Sequence, residues 1–247
     1  MSLKRLVSSF LPQSVKNLYH LTHAVLACAW YGMPGNKLRI IGVTGTNGKT
    51  TTTQFVTRIL MTAGKQVAMA STINFQIGER AWVNASKFTT MSPWKLQAFL
   101  REAVEAGCEY AAIETSSHAL DQNRVWGIPY DIAVMTNVTR EHLDYHETMA
   151  GYREAKQRLF LRAKRAVVNL DMEAPEYFID ATKQVVTYST KRSDATLQAT
   201  DVTLDFKGTE FEVAGTRFHL RIPGLFNIDN ALAAPGVAEP LEIDVMA

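Results

Sequence analysis

Apolar positions follow two alternating rhythms through the middle of the chain. Short, nearly continuous apolar runs fall at 38–44, 66–71, 109–114, 131–136, 166–170 and 184–188, the pattern of strands buried on both faces. Between them, helical spacing of apolar residues predicts helices over 50–63, 93–106 and 147–164, the first with Phe55, Val56, Ile59 and Leu60 on its inner face. Strands that alternate with helices predict an α/β fold, a mostly parallel sheet with helices on both faces. Ligands of such sheets sit outside the carboxyl ends of the strands. Segments 44–50, 114–117 and 137–144 are therefore expected on one rim.

The rhythm changes towards both ends. Beyond about 195, apolar and polar positions alternate through ATLQATDVTLDF, a turn at Lys207 and Gly208, TEFEVAG and TRFHLRIPG, which predicts a small antiparallel set of strands appended to the sheet. Residues 1–36 place Leu3, Leu6, Val7 and Phe10, then Leu18, Leu21, Val25 and Leu26, at helical spacing, punctuated by Pro12 and Pro34. This reads as an N-terminal helical segment, too short for an independent domain, packed on a main body spanning 37–247. Pro235 and Pro240, within the closing run, predict a break in the helix expected after Asn230.

Composition narrows the function classes. With 247 residues, 47% of them hydrophobic, a full core is available. Twenty-six basic against 24 acidic side chains argue against a nucleic-acid groove or an anionic membrane surface as the main partner, and leave small anions, which need only local charge. Cys28 and Cys108 lie far apart without CxxC spacing, so neither a disulfide framework nor a zinc site is indicated, and a reducing, cytoplasmic setting is expected. Lys16, His20 and His23 interrupt the apolar N-terminal stretch, which predicts neither a signal peptide nor a membrane span.

The candidate chemistry centres on GVTGTNGKTTTT, residues 42–53, between a predicted strand and a predicted helix. Glycines 42, 45 and 48 permit a concave backbone, the helix N-terminus adds positive potential, Lys49 supplies a point charge, and the Thr50 hydroxyl can reach a magnesium ion. The parts suit a nucleoside triphosphate, although Val43 stands where the common P-loop pattern has its first glycine. Glu114 ends an apolar strand, where a carboxylate can hold magnesium directly or through water. Asn137, His142, Asp144 and His146 follow another strand end, and either His142 or Asp144 could face a metal. Lys156 reads by itself as an ordinary solvated lysine.

GVTGTNGKTTTT, IETSSHALDQNRV, TNVTREHLDYH, YREAKQRLF and GLFNIDNALAA together resemble the ATP-dependent Mur ligases in order and spacing, most closely the subgroup that extends a UDP-MurNAc-dipeptide to the tripeptide. The resemblance implies an ATP- and Mg2+-dependent carbon–nitrogen ligase of peptidoglycan precursor synthesis. It would add an amino acid to a UDP-muramyl peptide through an acyl phosphate. It further implies that Gly45, Thr46, Asn47, Gly48, Lys49, Thr50, Thr51 and Asn137 hold ATP, with Asn227 and Asn230 at the nucleoside. Thr50, Glu114 and His142 would bind or position magnesium. Lys156, fourteen residues after His142, matches a lysine that is carbamylated in the family and then faces a second metal. Thr89, Thr90, Ser116, Gln122 and Arg124 match positions that hold the muramyl peptide. TTMSP and Glu141 depart from the subgroup, which commonly has proline directly after the threonine pair and aspartate at the second position. Full ligases of this kind carry domains on both sides of the central one. The chain therefore reads as a central ATP-binding domain, truncated at its C-terminal end, that ligates poorly alone or works with a partner chain. The SSHALDQNR run argues against the related folylpolyglutamate synthases. The remaining alternatives are a plain P-loop NTPase and a non-catalytic nucleotide-binding assembly module.

Overall fold

The structure is a computed structural model that describes residues 12–141, 143–206 and 208–243. It opens with α1 (Gln13–Tyr31), which closes on Gly32 in the left-handed conformation. The strand–helix alternation then runs β1 (Arg39–Thr44), α2 (Lys49–Thr62), β2 (Val67–Ala70), a hairpin of β3 (Asn74–Ile77) and β4 (Arg80–Val83), α3 (Pro93–Glu105) and β5 (Tyr110–Glu114). It continues through α4 (Ser117–Asp121), β6 (Tyr130–Met135), α5 (Leu143–His146), α6 (Met149–Phe160), β7 (Arg165–Asn169), α7 (Glu176–Ile179), β8 (Gln184–Ser189) and β9 (Leu197–Gln198). Strands β10 (Thr200–Leu204), β11 (Thr209–Val213) and β12 (Thr216–Leu220) precede α8 (Leu225–Ala238).

Among the described residues the main sheet has nine strands in the order β4-β3-β2-β5-β1-β6-β7-β8-β9, parallel except for the hairpin at one edge. Strand β1 lies between β5 and β6, with Val43 opposite Glu114 and Thr44 opposite Met135. That register brings the loops after all three strands to one rim. Successive β1 side chains serve opposite layers, as strand geometry requires. Ile40 packs with Leu96, Leu100, Leu159 and Phe160 on one face, whereas Ile41 and Val43 pack with Val56, Leu60, Ile228 and Leu232 on the other. Each fully buried aliphatic of this kind contributes about 1.5–3 kcal/mol relative to exposure.

The small antiparallel sheet, β10-β11-β12, is separate from the main one rather than hydrogen-bonded to it. Its Phe211 and Val213 close the layer that contains α8. Two points differ from the sequence reading. The hairpin β3–β4, which turns at Gly78 (φ +56°), extends the sheet where no strand was expected. Pro235 does not end its helix: α8 continues through it to Ala238, and the chain leaves the helix at the 3-10 turn containing Pro240. The missing N–H costs the helix one hydrogen bond, but Ile228, Leu232 and Val237 around it are fully buried, and Gly236 lies so close to the sheet that a Cβ would stand 2.8 Å from Val167 Cγ1. Burial on that scale holds the segment helical.

Candidate active site

Residues 45–48 form the turn between β1 and α2. Gly48 adopts φ +81° at the N-terminus of α2, where a Cβ would fall inside the Asn230 amide. Gly45 is as confined, because a Cβ there would collide with the Thr136 hydroxyl. The segment after β6 clamps the turn: Asn47 N–H donates to Asn137 Oδ1 (2.9 Å), Asn137 Nδ2 donates back to the Asn47 carbonyl (3.2 Å), and Thr46 N–H donates to the Asn137 carbonyl (2.9 Å). Thr46 Oγ1 accepts from Thr139 N–H at 2.9 Å and lies 3.2 Å from Tyr152 Oη. The first N–H groups of α2 have no intrahelical acceptor. They border a cavity of about 330 Å³ lined by Asn47, Gly48, Lys49, Thr50, Thr51 and Glu114, among others.

Glu114 is a buried carboxylate at the end of β5, not an exposed strand-end acid. Thr50 Oγ1 donates to it at 2.9 Å, and Thr72 donates both its N–H (2.8 Å) and its hydroxyl (3.0 Å). Thr50 and Glu114 thus present neighbouring hard oxygen donors beside the helix N-terminus. Magnesium at nucleotide sites commonly takes one or two protein oxygens and completes its shell with phosphates and water, so this pair fits that ion.

Two lysines meet at the turn. Lys49 Nζ donates to the carbonyls of Gly45 (3.1 Å) and Thr46 (2.7 Å), and Lys156 Nζ donates to the same Gly45 carbonyl at 2.8 Å. Lys156 is not solvated: it is 1% exposed and sits 4.4 Å from the Tyr152 ring centroid. Burial, and then the neighbouring Lys49 charge, hold its ammonium well below the ordinary lysine range, with Glu141 opposing. Burial also lowers Lys49, against the pull of Glu114 and Glu141.

A second cavity, of about 360 Å³, adjoins the first and shares Lys49 and Thr89 with it. Thr90, Ser116, Gln122 and Arg124 line it together with Lys156. Thr90 Oγ1 donates to the Glu114 carbonyl (3.0 Å) and accepts from Ser116 N–H (3.0 Å), and Arg124 Nη1 donates to the Thr90 carbonyl (2.9 Å). Among the described residues, the buried Arg124 Nε has no hydrogen-bond partner.

Most of the anticipated residues therefore converge. Asn230 lies against the turn and near Thr52 Oγ1 (3.4 Å), whereas Asn227 is occupied locally, its Nδ2 donating to the Pro223 carbonyl at 2.8 Å. His142 and Lys207 lie outside the described residues. Asp144 is exposed on α5. Thr72, His118 and Tyr152 border the cavities without having been anticipated. Thr72 could have been found because it follows β2 onto the same rim, and Tyr152 because it stands one helical turn before Lys156.

A family model described as the Mur ligase middle domain matches residues 43–238. The chain is 44% identical over 238 residues to a UDP-N-acetylmuramyl-tripeptide synthetase of Roseiflexus sp. (strain RS-1), a match covering 87% of this chain and 46% of that protein. It is 40% identical over 226 residues to a UDP-N-acetylmuramoyl-L-alanyl-D-glutamate--2,6-diaminopimelate ligase of Geobacillus thermodenitrificans (strain NG80-2), covering 85% and 45%. A solved structure of a ligase with the latter description superposes with a TM-score of 0.76 at 33% identity, over 85% of this chain and 44% of the other. The chain thus spans less than half the length of each of these three relatives. The match to the family model, over most of the chain and all of the site just described, shows that the protein belongs to the Mur ligase family through its middle domain.

Proposed function

We propose that the chain forms the nucleotide- and carboxylate-binding part of an ATP-dependent amide ligase that extends a UDP-muramyl peptide by one amino acid, in the cytoplasm. The observation that carries this reading is the pair of adjoining cavities with Lys49 and Thr89 in common: one is suited to phosphate, and the other is lined by hydroxyls and a half-buried arginine suited to an acidic peptide. ATP would supply the phosphoryl group that activates the peptide carboxylate, and magnesium would offset charge as the two anions approach.

The protein's own part in that chemistry is placement and charge. The backbone N–H groups at the start of α2 hold phosphate oxygens. Lys49 exchanges the carbonyls of Gly45 and Thr46 for a phosphate oxygen. Thr50 and Glu114 hold the magnesium ion, with His142 assigned there by its place in the motif. Asn230, which lies against the turn, and Asn227, on releasing the Pro223 carbonyl, would contact the nucleoside. Thr89, Thr90, Ser116, Gln122 and Arg124 grip the acidic peptide. Lys156 is suited to carbamylation because burial favours its neutral amine. The lone pair of the neutral amine would bond to the carbon of CO2, one C–O π pair would become the carboxylate charge and the nitrogen would release a proton to water, leaving an anion beside the cradle.

Calorimetric titration of the chain with Mg-ATP, with Lys49→Ala alongside, tests the cradle. Binding by the wild type that drops at least tenfold in the variant is expected; equal affinities would overturn the assignment. UDP-muramyl dipeptide and a folate, titrated in parallel, separate this reading from the folate-ligase alternative. Preference for the folate would overturn it.

A further inference from the structure

The carboxylate-side cavity has a weak point in its construction. Gln122 follows α4, a helix of only five residues, and the chain then passes through Asn123 at φ +54° before Arg124. So short a helix does little to fix the side chains that follow it. Their orientation depends on ties from elsewhere: the Thr90 carbonyl holds Arg124, and Tyr145 of α5 holds Gln122 and Asp121.

Tyr145 Oη donates to Asp121 Oδ2 at 2.8 Å and accepts from Gln122 Nε2 at 3.3 Å and from Gln13 Nε2, on α1, at 2.8 Å. A phenol has one proton and two lone pairs, so these three bonds saturate the hydroxyl. The Asp121 carboxylate also accepts from Arg158 Nη1 at 3.2 Å, two residues beyond Lys156 on α6. The Tyr145 ring packs on His118, which lines the same cavity, with centroids 4.2 Å apart. One hydroxyl therefore joins α1, α4, α5 and, through Asp121, α6. Burial and the Asp121 bond push the phenol up to about 12, so it remains a proton donor at any working pH.

We propose that Tyr145 is a positioning residue: it holds Gln122, and the α4 end that leads to Arg124, in the orientation that receives an acidic peptide. The segment 136–146 then has two duties, clamping the phosphate turn through Asn137 and setting the grip on the second ligand through Tyr145. The choice of ligand rests on the function proposed above, whereas the mechanical role does not.

Tyr145→Phe keeps the ring on His118 and removes only the hydroxyl. Hydrogen exchange on the ligand-free full chain is expected to show faster exchange at 117–124, with β1 and β5 unchanged; unchanged exchange at 117–124, or an equal increase in the sheet, would overturn the proposal. Titration is expected to show UDP-muramyl dipeptide binding about three- to tenfold weaker, the usual range for one net hydrogen bond, with Mg-ATP affinity retained. A purely structural defect would weaken both ligands alike and would overturn the positioning role. In a Gln122→Ala background the same substitution should add little, and a full additive loss would show that Tyr145 does not act through Gln122. If the wild type binds neither ligand, the proposed function fails, and the exchange result still decides the role of Tyr145.

Discussion

Single residues near the site are held against their solution preferences, and Asp229 shows how that enters stability. Burial, and then the charge of Asp171, raise its carboxyl to about 6, while Lys191 and Thr190 pull the other way. Between the unfolded value near 4 and about 6, the folded state carries more protons than the unfolded one. The stabilisation by the protonated form is therefore present at low pH and lost as pH rises through 6. Asp229→Asn should raise stability at pH 7 by about 1–2 kcal/mol, after discounting for partial exposure, and should change little at pH 4; urea melts at both values would check this. Site residues differed in how far the sequence revealed them. Lys49, Thr50 and Glu114 were readable because glycine spacing and strand ends imply where their side chains go. Lys156 was not, because its near-complete burial depends on the turn at Gly45, 111 residues away in sequence, as well as on Tyr152 one helical turn before it. Resemblance, rather than periodicity, singled it out.

At the scale of elements, the buried strands and long helices were legible because each needs one period sustained over many residues. The predicted helix over 93–106 is α3 to within a residue at the end, and the run at 109–114 is β5. The hairpin was not legible: Asn74 and Gln76 make the first of its four-residue strands half polar and Arg80 opens the second, and both are too short to distinguish alternation from a loop. Pro235 misled in the opposite direction, since a local rule was outweighed by burial of the whole of α8. Replacing it restores a donor to the Ala231 carbonyl while losing some buried ring surface. Pro235→Ala should therefore stabilise the chain by about 1–2 kcal/mol, part of the usual cost of an interior proline, as read from the midpoint of denaturant unfolding. Unchanged stability would mean that the ring's packing compensates in full for the missing bond.

The whole molecule gathers three strand ends, β1, β5 and β6, beneath two cavities. That arrangement followed from the alternation of strands and helices, but the adjacency of the cavities did not, because it depends on where residues 88–90 return across the rim. The shared wall of Lys49 and Thr89 has a consequence for recognition. A molecule that joins a phosphate-bearing half to an acid-bearing half by a short tether meets its second cavity at an effective concentration of about millimolar, set by the tether rather than by the solution. Such a bivalent ligand should bind at least about a hundredfold more tightly than either half, measurable by competition against the separate halves. The enhancement should vanish as the tether lengthens, since what the wall provides is proximity and not a new contact.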